Sequence, residues 1–140
     1  MEYIYSKVIE GTLLHKIVRL SDIEQQEGPR ADLVEPDNFI QCSSLHLKEG
    51  TTFRPHKHIY KSWQGDSMIA QESWVVIRGR VRCVFYDLDD TIIAEPILEA
   101  GDASFTLHGG HTYVILEDDS IIYEYKTGPY LGQKMDKTFI

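Results

Sequence analysis

Gly50-Thr51-Thr52-Phe53-Arg54-Pro55-His56-Lys57-His58 is the stretch on which the reading of this chain turns. Successive side chains of an extended strand point to opposite faces, so His56 and His58 share one face. Two imidazoles on one face can hold a single metal ion, at about 2.0–2.1 Å from nitrogen in the case of zinc. Arg54 has the same parity and faces the same way if the strand is regular. Pro55 between them cannot donate to a sheet ladder, which marks a strand start that is bent or at an edge. Glu72 opens the next apolar run, with Gly79 seven residues beyond it, and offers a third ligand from a neighbouring strand. Gly101 begins a later turn-strand unit that His111 ends after Gly109-Gly110, and His111 offers the fourth. His108 competes with His111 across that short turn. The run Thr112-Tyr113-Val114-Ile115-Leu116 behind the turn favours His111. His15 and His46 read as ordinary surface or core histidines, with His46 a lesser candidate for the barrel lining.

Around this stretch, short apolar or alternating runs recur about every ten residues. They cover 39–47, 73–87, 91–98, 103–107, 113–116 and 120–126, and turn residues such as Leu88-Asp89-Asp90 and Glu117-Asp118-Asp119 separate them. Many short strands with regular turns give an all-β sandwich or barrel with little helix. Before residue 39 the texture is mixed. Tyr3-Ile4-Tyr5 suggests a strand. Leu13, Ile17 and Leu20 have helical spacing, yet Ile17 and Val18 are β-branched, so that stretch stays undecided. Ser21 and Glu24 fit a capping box for a short helical turn that Gly28-Pro29 would end. The polar stretch 30–38 reads as loop. The expected organisation is an N-terminal segment 1–38 packed on a barrel of residues 39–130, followed by a C-terminal tail, 131–140.

With 140 residues, of which 42% are apolar, the chain suits one domain with one core. Cys42 and Cys83 lie inside strand-like runs and read as reduced, buried thiols, which fits a cytoplasmic setting. No early run has the form of a signal peptide, and no apolar stretch approaches the ~20 residues that span a bilayer. A net charge of -8 disfavours nucleic acid, because phosphate contacts need a basic face. Arg78, Arg80 and Arg82 alternate along one strand and read best as one rail of a sheet.

The spaced residues resemble the two motifs of the cupin superfamily. Gly50, His56, His58, Glu72 and Gly79 match the first, with thirteen residues between His58 and Glu72 where the family has three or four. An inserted loop, 59–71, accounts for the difference, and it suggests a lid over the barrel mouth or a dimer-contact hairpin. Gly101, Gly109 and His111 match the second motif loosely, with Leu107 in place of its proline. Residues 72–87, the tail Glu124-Tyr125-Lys126-Thr127-Gly128-Pro129-Tyr130 and Asp136-Lys137 are similar to the WbuC-type cupins, usually encoded among genes for bacterial surface-polysaccharide synthesis.

The resemblance implies a double-stranded β-helix, often dimeric, that holds one divalent metal ion on His56, His58, Glu72 and His111. Three imidazoles and a carboxylate suit Fe, Mn, Ni, Co or Zn. On an octahedral ion they leave two positions open for a substrate; on tetrahedral zinc they fill the shell. Arg54, Gln41 and Tyr113 are the candidates for contacting a small polar or anionic molecule. Two readings follow. One is a metalloenzyme, an isomerase or epimerase or a dioxygenase, acting on a sugar or sugar nucleotide. The other is a metal-dependent protein that binds or senses such a ligand without turnover.

Overall fold

The alternating runs fold as strands. The computed structural model describes all 140 residues, the side chain of Trp63 excepted. In chain order its elements are β1 (Glu2–Tyr5), β2 (Leu13–Ile17), α1 (Leu20–Glu24), β3 (Arg30–Asp32), β4 (Ile40–Leu47), β5 (His56–His58), β6 (Tyr60–Trp63), β7 (Asp66–Ile69), β8 (Glu72–Arg78), β9 (Arg80–Tyr86), β10 (Ile92–Ala94), β11 (Ile97–Glu99), β12 (Ala103–Thr106), β13 (Gly110–Ile115), β14 (Ser120–Thr127), α2 (Gln133–Asp136) and β15 (Lys137–Phe139). The two helices have five and four residues, so the all-β expectation holds. One sheet has the order β12-β8-β14-β4-β3, and the other runs β10-β9-β13-β5-β15, with β11 also paired to β9. The hairpins β1-β2 and β6-β7 stand apart as two-stranded sheets.

The two larger sheets face each other as a jelly-roll barrel, and their inward faces change character along its length. On β8 the inward residues run Glu72, Trp74, Val76; on β13, His111, Tyr113, Ile115; on β4, Ser43, Leu45, Leu47; on β14, Lys126, Glu124, Ile122. Each series begins polar and ends apolar. The apolar ends meet in one core built on Leu45, Leu47, Trp74, Val76, Val81, Cys83, Tyr113, Ile115 and Ile122. Trp74 and Tyr113 stack at 3.8 Å and 9° between that core and the polar end. Such a pair adds about 0.5–1.5 kcal/mol beyond the area it buries.

Gly79 splits the long run over 73–87 into β8 and β9, which go to opposite sheets. Its φ is +86°, and a Cβ there would lie 2.0 Å from Ser120 Oγ, so only glycine fits this corner. The undecided stretch is a strand, β2, paired with β1. Residues 30–32, expected as loop, form β3 against β4. Arg30 and Asp32 line a polar cavity, so the strand lacks the apolar alternation that marks the others. Helix α1 begins at Leu20, and Asp22 rather than Glu24 accepts from the Arg19 backbone N–H, at 2.8 Å. Glu24 instead pairs with Arg78. The three arginines do not form the single-strand rail expected, because Gly79 leaves Arg78 on β8 and puts Arg80 and Arg82 on β9. These two pair at the surface, Arg80 with Glu99 and Glu117, and Arg82 with Glu95. The inserted stretch 59–71 is the β6-β7 hairpin. Its turn, Gln64-Gly65, has φ of 52° and 89°, the positive pair that two-residue hairpin turns favour. The lid expectation that touched Trp63 lies, for that side chain, outside the described residues. The C-terminal residues are not a loose tail, since β15 pairs with β5.

Candidate metal centre

Strand parity brings His56 and His58 to the inside of β5, where both are buried. On the adjoining β13, His111 pairs in register with His56. Their rings lie 4.6 Å apart, and the His58 ring is 5.5 Å from His56 and 5.7 Å from His111. Glu72 was expected from a neighbouring strand. It comes instead from β8 in the opposite sheet and reaches across the barrel, because the β6-β7 hairpin carries the chain over between His58 and Glu72. One ligand atom from each of the four residues lies within 4.8 Å of all the others. His108 is exposed, with its ring 6.1 Å from Tyr60, and is not part of this group. His46 pairs with Asp119 at the surface, and His15 is exposed on β2.

The orientation of each ring is fixed from behind. His56 Nδ1 donates to the Arg54 carbonyl at 3.0 Å. His58 Nδ1 donates to the Asp136 carbonyl at 3.2 Å, with the Asp136 carboxylate at 3.3 Å. His111 Nδ1 meets Thr106 Oγ1 at 2.9 Å. The Nε2 atoms of His58 and His111 are thereby turned toward the Glu72 carboxylate. His58 Nε2 is 3.2 Å from Oε2, and His111 Nε2 is 3.1 Å from Oε1. His111 Nε2 is fully buried and lacks the alignment for a hydrogen bond. A buried ring nitrogen aimed at a carboxylate without bonding to it is what a cation between them satisfies. The donor set and its outer contacts fit a divalent metal ion.

Electrostatics separates the ligands. Burial, reinforced by His111 and Lys137 nearby, pushes His56 down to about 4, so it is neutral and ready to ligate. Burial also opposes charge on His58, but the Asp136 and Glu72 carboxylates outweigh it and raise His58 to about 9. Burial would raise Glu72; its contacts with His111 and His58 hold it well below the usual carboxylate range. Asp136 is likewise held low, with burial overcome by His58, Lys61 and Lys126.

His56 and Glu72 line an open cavity of about 630 Å3, and His58 and His111 are buried beside them. Arg54 lines it with its guanidinium over the Phe139 ring, 4.2 Å from the centroid. Tyr113 forms part of the floor, and burial raises its hydroxyl above the usual range. Gln41 borders the cavity, but its amide donates to the Asn38 and Glu35 carbonyls and so holds the 35–38 loop. Other lining residues were not singled out as site residues from the sequence. Lys137 Nζ sits 3.5 Å from His56 Nε2. Arg30 pairs with Glu124 and Asp32, and Trp74 Nε1 donates to Glu124 at 3.2 Å. The parity of Glu124 and Lys126 with Ile122 was the available signal, since charges at inward positions of a strand mark a polar lumen.

No protein-family model matches the chain, and no curated protein matches it. Among solved structures it is similar to an uncharacterised conserved protein with a double-stranded β-helix domain from Klebsiella pneumoniae, at 15% identity and TM-score 0.61, covering 85% of this chain and 95% of that one. It is also similar to CapF, solved with the inhibitor 3-isopropenyl-tropolone, at 17% identity and TM-score 0.64, over 79% of this chain and 31% of CapF. KdgF from Halomonas sp. matches at 20% identity and TM-score 0.54, over 70% of this chain and 76% of KdgF. The chain thus spans about a third of CapF. The shared architecture is the double-stranded β-helix.

Proposed function

We propose that this protein uses a divalent metal ion to bind a small anionic or polyhydroxylated, sugar-like molecule and to act on it. One observation carries the reading: His56 and Glu72 of the His56-His58-Glu72-His111 group line a cavity in which two cationic side chains beside His56 have no ion-pair partner among the described residues. The other cationic lining groups are paired, Arg30 with Glu124 and Asp32, and Lys126 with Asp136. Arg54 and Lys137 flank His56 and make no ion pair among the described residues; the exposed Glu35 sits at the rim. An anionic group on a ligand would meet both. A bound metal supplies Lewis acidity toward a ligand oxygen, or redox chemistry if it is iron or manganese. Arg54 and Lys137 orient the ligand, and the Trp74-Tyr113 layer keeps water from the core side.

The similarity to WbuC-type cupins supports a place in bacterial surface-polysaccharide synthesis, in the cytoplasm. Free Cys42 and Cys83 fit that compartment; their thiols are pushed up by burial to about 11 and 12 and are poor nucleophiles. Among the described residues, no helix is long and apolar enough to cross a membrane. A second reading, a binder or sensor without turnover, is favoured by one feature: Glu124, which lines the cavity, and Asp136 behind His58 are both bound to cations and so are poor bases.

The test begins with elemental analysis, then titrates sugar nucleotides, simple sugars and dicarboxylates into the metal-loaded protein and follows each for conversion. Tropolone, with adjacent carbonyl and hydroxyl oxygens like those of the CapF inhibitor, probes open metal positions. Turnover of any ligand establishes the enzyme, and binding without turnover the second reading. Failure of the metal-loaded protein to bind any of them, tropolone included, refutes both. We also propose a homodimer through β12, an edge strand where Phe105 is 71% exposed beside Leu107 and Tyr125. Light scattering at micromolar concentration should give about twice 16.1 kDa; a value near 16.1 kDa counts against it.

A further inference from the structure

Asp136 is fully buried, yet it belongs to a four-residue helix near the end of the chain, far in sequence from the metal ligands. Its carboxylate lies 3.3 Å from His58 Nδ1 and accepts from Lys61 Nζ at 2.8 Å and Lys126 Nζ at 2.9 Å. Its carbonyl accepts from His58 Nδ1 at 3.2 Å and from the Ile59 backbone N–H at 3.1 Å. Lys61 is the unusual partner. It stands on β6 of the inserted hairpin, is itself buried, and donates its other bond to the Pro129 carbonyl at 3.0 Å. A lysine is almost never fully buried without partners, so this one docks the hairpin by its charge.

We propose that Asp136 is a positioning residue for the metal, and that Lys61 makes metal binding and docking of the β6-β7 hairpin one coupled event. The inference rests on the metal-site reading above. Its steps are local. Asp136 holds the His58 ring with Nε2 toward Glu72, and a carboxylate behind a ligating imidazole also strengthens its donor nitrogen. Lys61 and Lys126 hold that carboxylate from either side. If the hairpin lifts, Lys61 leaves, Asp136 gains freedom, and the His58 ring loses its fixed orientation. Coupling of this kind is reciprocal, so metal must favour the docked hairpin by the factor by which the docked hairpin favours metal.

The experiment uses zinc and cobalt(II) on the full chain. Wild type, Asp136→Asn, Lys61→Met and the Asp136→Asn/Lys61→Met double variant are titrated with each metal, and the metal-free proteins are compared by circular dichroism and thermal melting. The double variant guards against Asp136→Asn failing to fold around an unpaired Lys61. We expect roughly 10- to 100-fold weaker binding for Asp136→Asn, the range for loss of a partner behind a metal ligand. Lys61→Met should weaken binding by about tenfold, and the cobalt(II) absorption spectrum of Asp136→Asn should change. Hydrogen exchange across residues 60–69 should slow on metal loading in wild type and respond far less in either variant. Folded variants that bind zinc as wild type does, with an unchanged cobalt spectrum, overturn the proposal and leave Asp136 a purely structural residue. Wild type that binds neither metal overturns the metal-site reading itself, a separate outcome.

Discussion

His58 and Glu72 meet across the barrel from strands of opposite sheets, Nε2 to Oε2 at 3.2 Å. In the metal-free protein this contact is an ion pair, because His58 is raised to about 9 while Glu72 stays ionised. Metal must therefore displace a proton from His58. Above pH 9 that proton is already gone; below it, each unit costs about tenfold in apparent affinity while this one group competes. His56, lowered to about 4, adds no second proton near neutrality. Calorimetric titration at pH 7.5 in buffers of different ionisation enthalpy should show about one proton released per metal, with affinity rising from pH 6 to 9. Affinity independent of pH over that range would show that His58 does not ligate.

The purified protein should carry about one divalent metal per chain, read by elemental analysis. Changing His56 and His58 together to Ala removes half the donor set and leaves only His111 and Glu72, which face each other from opposite sheets. That double variant should bind substoichiometrically. Full occupancy would mean that the metal sits elsewhere.

Gly79→Ala tests the corner that sends β8 and β9 to different sheets. Left-handed backbone at a non-glycine residue costs about 1–3 kcal/mol, and the new Cβ would displace Ser120. The thermal midpoint should fall by roughly 3–10 °C for a domain of this size. A melting curve unchanged from wild type would show that the corner relaxes without strain.

Arg54→Ala should weaken an anionic ligand, once one is found, by roughly tenfold or more, as expected for loss of a charged hydrogen bond. Metal content should be unaffected, because only the Arg54 backbone carbonyl touches a ligand ring. Equal binding by wild type and variant removes Arg54 from the site; the same titration on Lys137→Ala tests its neighbour.

The site was legible in the sequence because its ligands sit at regular strand positions. Parity placed His56 and His58 together, and the alternating run behind the Gly109-Gly110 turn singled out His111 over His108. The sheet pairing of Glu72 was not legible. A strand carries the same parity whichever sheet it joins, and the length of the insertion does not say where its hairpin delivers the chain. Asp136 was hidden for a related reason. Its short helix has no amphipathic pattern, and its partners lie on β5, β6 and β14, so only the closed barrel unites them. Strand β3 was missed because a strand that lines a polar lumen has no apolar rhythm to find.

The polar-to-apolar run along β4, β8, β13 and β14 makes the barrel a vessel with one mouth. Below the stacked Trp74 and Tyr113 the lumen is filled, so nothing passes through the far end. Traffic must then be last in, first out: the metal has to arrive before any ligand that sits above it, and a seated ligand corks the metal in. A chelator added to the ligand-bound protein should strip the metal no faster than the ligand leaves.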